Sequence, residues 1–428
     1  MGASASGGDA DAMTGATGGG TGAGGAGGAG GWIAGGGEPG QPTLRWSSRV
    51  RSVEAVQEEL ARIWSSITLA MPGDDGEERR VAARSSVMNL VVIARRGETA
   101  EHAAAVIHGL MGRHPSRTII ATSADPDGPS WIDAQVQAHC VLPSRDSPET
   151  CAELIFLTAG GDAGQHLAGC VGPLLVHDLP VTVWWPSEPR FDTPGARSLL
   201  RLADRVVVDG AGWSGDGLDR LAALAALPAR HDVQVADFAL LRQSRWREAI
   251  ASSFDLPRLR PFLGWIRELS VGYAARDGTP RLTNVVKPIY HLAWLASRLG
   301  MVVLEPLEAG DGPWSGYRGT VRVGRRRVAV DLRPIESGAS PGTTEEVTLV
   351  ARRGSQTLEA RVTGQADGIT VATTVDGRPM SDRHYLVPRR REGDLLAETI
   401  EDGGAGPLTS DALAMAAALV GGSGGPGR

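Results

Sequence analysis

The stretch VMNLVVIARRGETAEHAAAVIHGLMGRHPSRTIIAT at residues 87–122 decides the fold class of this chain. Its apolar, β-branched run at 87–93 predicts a buried strand, and the alanine-rich segment at 99–111 predicts a helix. Because Pro115 disfavours helical geometry in the residue before it, the helix ends there and a second strand is predicted at 117–122. A strand, a helix and a strand in this order form the unit from which parallel sheets are built.

The same alternation continues on both sides of this unit. An amphipathic helix is predicted before it, at 52–71. After it, strands are predicted at 131–141, 153–157, 181–185 and 205–208, with helical segments between them. A longer helix is predicted from Asp237, as its N-cap, to Ser253. We therefore expect an α/β domain at residues 45–255, built on an open, mostly parallel sheet with helices.

The pattern changes after Pro257. A strand at 266–273 and a helix at 283–299 are followed, within 317–387, by β-rich runs that glycine, aspartate and proline turns separate. This arrangement predicts a smaller α+β domain with an antiparallel sheet at residues 256–420.

Both ends of the chain are rich in glycine. Residues 1–44 carry almost no large apolar side chain, which predicts a disordered leader, and residues 421–428 are predicted to be a flexible tail. The leader contains several G-x-G-x-x-G matches, but no predicted strand precedes them and no helix follows. The dinucleotide-binding interpretation therefore fails on its context.

Several classes of chemistry are excluded by residue type and spacing. Lys287 is the only lysine and follows no glycine-rich loop, so a Walker-type phosphate loop is absent. The pentapeptide G-x-S-x-G occurs only at 338–342 and 421–425, away from any strand-to-helix turn. His102 and His108 lie about 240° apart around a helix and cannot share a metal there. We predict no catalytic residue, no metal site and no cofactor.

The cysteines and the apolar segments bear on cellular location. Cys140, Cys151 and Cys170 are odd in number and lack C-x-x-C spacing, which predicts buried free thiols. No secretory signal is recognisable, and no window approaches the roughly 18 apolar residues of a membrane span. The sequence therefore predicts a cytoplasmic protein without a membrane partner.

Three further patterns leave alternatives open. The glycines of TAGGDAGQH at 158–166 suit an ordinary tight turn or an anion site. The arginine-rich stretches at 321–327 and 387–392 suit solvated strand edges or nucleic-acid binding, and the scarcity of nearby aromatic residues favours strand edges, so no nucleic-acid partner is predicted. Trp184 and Trp185 cannot share one face of a strand, so either both are buried between helices or one is displayed at its carboxyl end.

The helix at 237–248 presents residue types that dominate protein interfaces. Arg242, Arg245 and Trp246 belong to these types, although surface arginines over a packed indole would explain the pattern equally well.

As a set, these residues resemble the OpcA family. The resemblance rests on RSSVMNLVV at 84–92, His114-Pro115-Ser116-Arg117, DLPVTVWWP at 178–186, ADRVVVDG at 203–210, the helix with Asp237, Arg242, Trp246 and Arg247, and AWLASRLG at 293–300. It departs from the family in having Leu240 where an aromatic residue often follows the acidic start, and in its glycine-rich leader.

The resemblance implies a non-catalytic protein that binds glucose-6-phosphate dehydrogenase and promotes its active oligomer in the oxidative pentose phosphate pathway. Its candidate contact residues, for a partner or a phosphate, are His114, Ser116, Arg117, Trp184, Trp185, Asp237, Arg242, Trp246 and Arg247. The alternative is an enzyme or sensor that binds sugar phosphates through His114 and Arg117. These two residues could equally contact an acidic partner residue or only fix the entry to their strand.

Overall fold

The computed structural model of the chain describes residues 31–32, 40–67, 83–84, 86–142, 150–275, 283–312, 315–401 and 406–421. The predicted leader and tail lie almost entirely outside these residues. The exceptions are residues 31–32 and 40–44 of the leader and Gly421 of the tail. The predicted disorder is wrong for 31–32 and 42–44, because these residues lie in strands of the first sheet.

Ten strands form the first sheet. They are β1 (Gly31–Trp32), β2 (Pro42–Val50), β3 (Ala83–Arg84), β4 (Asn89–Ala94), β5 (Arg117–Ala124), β6 (Trp131–Val141), β7 (Thr150–Gly160), β8 (Val181–Trp185), β9 (Arg205–Val208) and β10 (Gln234–Asp237). Their order is β1-β2-β6-β7-β5-β4-β8-β9-β10, with β3 beside β7. From β7 to β10 all neighbours are parallel, whereas β2 and β6 extend one edge antiparallel. The predicted open, mostly parallel sheet is confirmed.

Helices cover both faces of this sheet. They are α1 (Val53–Ile67), α2 (Gly97–His108), α3 (Gly161–Gln165), α4 (Leu167–Val171), α5 (Pro194–Leu200), α6 (Leu218–Ala225), α7 (Leu227–His231), α8 (Phe238–Leu241) and α9 (Ser244–Ser252). The single helix predicted from Asp237 to Ser253 is wrong in one respect, because a turn at Arg242 and Gln243 divides it into α8 and α9. The Gln243 amide donates to the carbonyl of Lys287 at 2.7 Å and fixes this turn to the second half of the chain.

Eight strands form the second sheet. They are β11 (Ile266–Ala275), β12 (Val302–Ala309), β13 (Tyr317–Val323), β14 (Arg326–Glu336), β15 (Thr344–Arg353), β16 (Gln356–Gly364), β17 (Gly368–Val375) and β18 (Arg378–Leu386). Their order is β12-β13-β14-β11-β15-β16-β17-β18, and only β11 and β14 pair in parallel. The long helix α10 (Val286–Arg298) packs on one face. The predicted α+β region with an antiparallel sheet is confirmed.

The last two helices return to the first half of the chain. α12 (Pro407–Leu419) packs against α10 and α6, while α11 (Glu392–Glu401) packs against α2 and α8. α11 was not predicted from the sequence. Its Leu395 and Leu396 are fully buried in the same apolar cluster as Leu90 and Trp184 of the first sheet. The division of domains at residue 255 stays a prediction, since helices from beyond it complete the first sheet.

The expectation of free thiols is wrong for Cys140 and Cys151, which form a disulfide. The two residues stand directly opposite each other on the antiparallel pair β6 and β7, with their Cα atoms 4.0 Å apart. The spacing of cysteines along the chain does not reveal such a cross-strand pair. Cys170 is a buried free thiol, as predicted.

Two further findings concern surface features of the described residues. No helix among them is long and apolar enough to cross a membrane. The arginine-rich stretch at 321–327 is not on a sheet edge, because it forms the hairpin between β13 and β14, which both pair on two sides.

Candidate functional site

The predicted site residues fall at two opposite edges of the first sheet. Arg117 begins β5, whereas Asp237 ends β10. Because the central strands run in parallel, these two positions lie at the amino edge and the carboxyl edge of the sheet, respectively. His114, Ser116 and Arg117 therefore do not share a site with the residues of α8 and α9.

At the amino edge, hydrogen bonds within the protein engage the polar groups. The buried Arg117 guanidinium forms a two-point ion pair with the buried carboxylate of Glu153 and donates to the carbonyl of Leu174 at 2.8 Å. The hydroxyl of Ser116 contacts that of Thr118 at 2.9 Å. His114 contacts Glu401 at the end of α11, with Nε2 and Oε1 3.0 Å apart. This group joins β5, β7 and α11.

Trp184 and Trp185 are both buried, one on each face of the first sheet. Trp184 is fully buried, and its ring centroid lies 6.3 Å from that of Phe238. Trp185 packs on the other face against Phe191, with centroids 5.6 Å apart. The structure therefore supports the first of the two interpretations, in which both indoles are buried. Neither indole is exposed at the carboxyl end of β8.

At the carboxyl edge, Asp237 is the most completely enclosed polar residue of the predicted set. Its Oδ1 accepts hydrogen bonds from the backbone amides of Gly210 at 2.9 Å and Ala239 at 2.8 Å, and the bond from Ala239 is the one that the predicted N-cap requires. Its Oδ2 accepts from the hydroxyl of Tyr290 at 2.9 Å. Burial and the nearby charge of Asp209 raise the pKa of Asp237 to about 7, although the three donors oppose this shift. The carboxyl group therefore titrates close to neutral pH.

Four residues complete what we call the junction cluster with Asp237. They are Asp209, Arg242, Lys287 and Tyr290. One Arg242 nitrogen donates to both carboxylate oxygens of Asp209 at 2.7 Å. Burial and the charge of Arg242 lower the pKa of Lys287, and among the described residues no acceptor binds its ammonium group. The cluster lies where the first sheet meets α10.

Trp246 and Arg247 continue this junction on the next helix. The Trp246 ring lies 5.2 Å from that of His291, and its edge faces the backbone of Gly364 at the end of β16. Burial, with the charges of Arg247 and Lys287, lowers the pKa of His291 to about 3. Arg247 itself donates to the carbonyl of Leu240 at 2.8 Å. Asp237, Arg242, Trp246 and Arg247 thus lie on or next to α8 and α9, and their role as a binding site stays a prediction.

Sequence reasoning missed the partners that give the junction cluster its character. Asp209 follows β9, and Tyr290 and Lys287 lie on α10, far from Asp237 along the chain. Lys287 stands out as the only lysine, but its neighbours in sequence carry no sign of a site. The apolar segment around it reads as an ordinary buried helix, so no local signal identifies the cluster.

The strand order of the first sheet raises the question of whether this sheet could bind a dinucleotide cofactor. Counted from β4, the parallel part of the sheet adds β5 and β7 on one side and β8, β9 and β10 on the other, the order typical of dinucleotide-binding folds. The turn after β4 reads Ala94-Arg95-Arg96-Gly97, so side chains stand where the fingerprint needs glycine for close approach of a pyrophosphate. The residues present do not fit such a cofactor at this turn.

The glycines of 158–166 are explained by packing. The indole of Trp131 lies over Gly160, where a Cβ would come within 2.1 Å of its ring nitrogen, and backbone atoms of Gly128 and Pro129 enclose Gly161. Gly161 also has a φ of 54°, which favours glycine. The tight-turn interpretation accounts for this motif. In the described part of the chain, no group of three or more His, Cys, Asp or Glu side chains could hold a metal ion.

Comparisons with known proteins cover both halves of the chain. Residues 108–226 match the family model described as the glucose-6-phosphate dehydrogenase subunit N-terminal domain, and residues 233–413 match its C-terminal domain.

Two curated relatives bear the name putative OxPP cycle protein OpcA. The one from Synechocystis sp. is 30% identical over 183 residues, which is 42% of this chain and 36% of the relative. The one from Nostoc punctiforme is 29% identical over 188 residues, which is 44% of this chain and 38% of the relative. The chain therefore aligns with little more than a third of the length of each.

Among solved structures, the chain is similar to the WlbA dehydrogenase of Thermus thermophilus in complex with NAD and alpha-ketoglutarate. The TM-score is 0.41 at 15% identity, over 78% of this chain and 94% of the other. The putative oxidoreductase yvaA of Bacillus subtilis gives a TM-score of 0.41 at 10% identity, over 78% and 96% of the two chains.

Proposed function

The chain belongs to the OpcA family of glucose-6-phosphate dehydrogenase subunits, and from this premise we propose that it is a non-catalytic assembly factor for that dehydrogenase. It binds the enzyme in the cytoplasm and promotes its active oligomer in the oxidative pentose phosphate pathway. The observation that carries the proposal is the match to both family domains, which together extend from α2 to α12.

The surface of α8 and α9 is the proposed contact. Arg242 and Trp246 are half-buried and Arg245 is exposed, so part of each side chain is open to a partner. Arginine and tryptophan are the residue types that most often carry binding energy at protein interfaces. In this proposal, His114, Ser116 and Arg117 stabilise the fold and do not contact the partner, because their polar groups form hydrogen bonds within the protein.

Activation follows from linkage. If the chain binds the assembled dehydrogenase more tightly than its separate subunits, it shifts the assembly equilibrium by the difference in affinity. A specific complex of this kind buries about 1,600 Å² in total. The junction cluster lies directly beneath α8, so contact at α8 and α9 also reaches α10 and the second sheet.

The experiment combines the purified protein with glucose-6-phosphate dehydrogenase from the same organism. Nicotinamide reduction and light scattering are followed together, and we expect higher activity with a larger complex. Arg242→Ala should reduce the activation while the protein stays folded, because the side chains of its ion pair with Asp209 keep 28% and 17% of their surface exposed, so the loss costs less than that of a fully buried pair.

Arg201→Ala is the matched control, since Arg201 is an exposed residue that directly follows α5, away from α8 and α9 along the chain. Unchanged activity and separate migration of the two wild-type proteins would refute the assembly role. Equal activation by both variants would refute the contact at α8 and α9 alone.

A further inference from the structure

The second sheet has one face that no helix covers among the described residues. Along its strands, buried apolar residues alternate with exposed or half-exposed ones, and α9 and α10 pack on the buried side. The opposite side, which we call the open face, contains a depression of about 600 Å³ over β13, β14, β11 and β15. Small residues form part of its floor: Gly319, Ala329, Ser270 and Thr348.

Six of the charged residues on the open face form two rows that run across the strands. The acidic row consists of Glu305 on β12, Glu268 on β11 and Glu359 on β16, which the strand register aligns through Thr320, Ala329 and Val350. The basic row consists of Arg322 on β13, Arg327 on β14 and Arg352 on β15, each two residues along its strand from that line. The rows therefore lie about 7 Å apart. The same face also carries Arg318, Asp331, Arg333, Glu346 and Arg361, which lie beyond the acidic row.

Contacts within the chain show that the two rows are within ion-pairing distance. Arg327 reaches diagonally to Glu305 at 2.5 Å, and Arg352 approaches Glu268 to 3.6 Å. The basic row also holds an unfavourable arrangement, because Arg322 and Arg327 stand directly opposite each other on neighbouring strands. Like charges in such a cross-strand pair are destabilising, so this row would gain from further acidic neighbours.

We propose that the open face is where two copies of this chain associate about a twofold axis. The axis lies in the plane of the interface and runs parallel to the two rows, midway between them. Rotation about this axis places the acidic row of one copy opposite the basic row of the other. Each copy then brings carboxylates close to Arg322 of the other, the one arginine of the basic row that forms no ion pair in the described part of the chain. A surface with both rows is complementary to itself, which a symmetric dimer requires.

The available area is sufficient for a stable dimer. Eight strands spaced about 4.8 Å apart, with about 8 residues each at about 3.3 Å, present about 1,000 Å². A standard interface buries about 800 Å² on each partner. The small floor residues allow the two faces to approach closely, and Ala329 is exposed at the centre of the acidic row.

The first test measures the mass of the full chain by light scattering over a range of protein concentrations. We expect twice the monomer mass for the wild type, with weaker association at high salt, because salt screens exposed charges. Ala329→Arg should shift the protein to the monomer mass by filling the floor, whereas Ala61→Arg, an exposed alanine of α1, should leave the dimer intact.

The second test reverses the rows separately. The variant R327E/R352E makes both rows acidic, and the variant E268R/E359R makes both basic, so each alone should show a dissociation constant raised by about 100-fold or more. Mixed together, the two variants should form a dimer again, because each row then meets its opposite. A wild type that remains monomeric, or a dimer that survives both reversals and Ala329→Arg, would overturn the proposal. The test uses no dehydrogenase, so its outcome is independent of the proposed function.

Discussion

The two edges of the first sheet hold buried carboxyl groups in opposite ways. At the amino edge, the carboxylate of Glu153 has an arginine of its own, Arg117, in a two-point ion pair. At the carboxyl edge, Asp237 receives three hydrogen bonds but no cation, because Arg242 is committed to Asp209. A buried carboxylate that is paired with an arginine links two strands, as Glu153 does. A buried carboxyl group whose donors are neutral, such as Asp237, makes the stability of the protein depend on pH.

We expect the largest change in stability from a substitution that breaks the ion pair at the amino edge. Arg117→Met should lower the free energy of unfolding by about 3 to 5 kcal/mol, because it leaves the fully buried Glu153 carboxylate without its arginine. Denaturant unfolding followed by circular dichroism measures this loss. The double variant Arg117→Met/Glu153→Gln should recover much of it, and an unstable double variant would show that the pair does more than neutralise Glu153.

The second prediction concerns Asp237 at the carboxyl edge and the dependence of stability on pH. The pKa of Asp237 is about 7 when folded against an ordinary 3.8, so the folded state keeps a proton that the unfolded state releases. This group therefore removes stability as pH rises from about 4 to about 7, and the loss is then complete, on the order of 4 kcal/mol. Asp237→Asn, which mimics the protonated form, should abolish this contribution.

Unfolding free energies of the wild type and Asp237→Asn should be compared from pH 5 to pH 8. His139 and His291, whose pKa values are lowered to about 4 and about 3, act in the opposite sense and lose stability as pH falls below about 6.5. Because both histidines remain in the variant, the difference between the two proteins isolates Asp237. A difference that does not change with pH would mean that this carboxyl stays charged throughout.

The smallest effect concerns a single donor to Asp237. Tyr290→Phe removes the hydroxyl that bonds Oδ2 and should cost about 1 to 2 kcal/mol at pH 8, where the carboxyl is ionised. Tyr273→Phe is the matched control, because this buried tyrosine donates to no residue in the described ranges and its loss should cost less. Equal losses in the two variants would remove Tyr290 from the junction cluster.

Much of the first sheet could be predicted because each strand is recognisable from its own local sequence pattern. The runs at 131–141, 181–185 and 205–208 match β6, β8 and β9 at both ends. Each is a compact apolar or alternating segment that turn residues bound, so no distant contact is needed to recognise it. The N-cap role of Asp237 was predictable for the same reason, since it depends only on the amides that follow.

What the sequence could not reveal depends on contacts between distant segments. α11 reads as a charged stretch, and its leucines become core residues only because the first sheet lies beneath them. The Cys140–Cys151 disulfide depends on the register of β6 against β7. The pKa of Asp237 depends on Asp209 and on enclosure by α10, which no pattern around residue 237 contains.

The position of α11 sets an order of events during protein synthesis. Leu395 and Leu396 seal a cluster that includes Leu90, Trp184 and Phe238, all made much earlier on the ribosome. At about 5–20 residues per second, roughly 10 to 40 s separate the emergence of Trp184 from that of Leu396. During that interval the apolar cluster on this face of the first sheet lacks the two leucines that complete it, so the face cannot reach its native burial before α11 has been made.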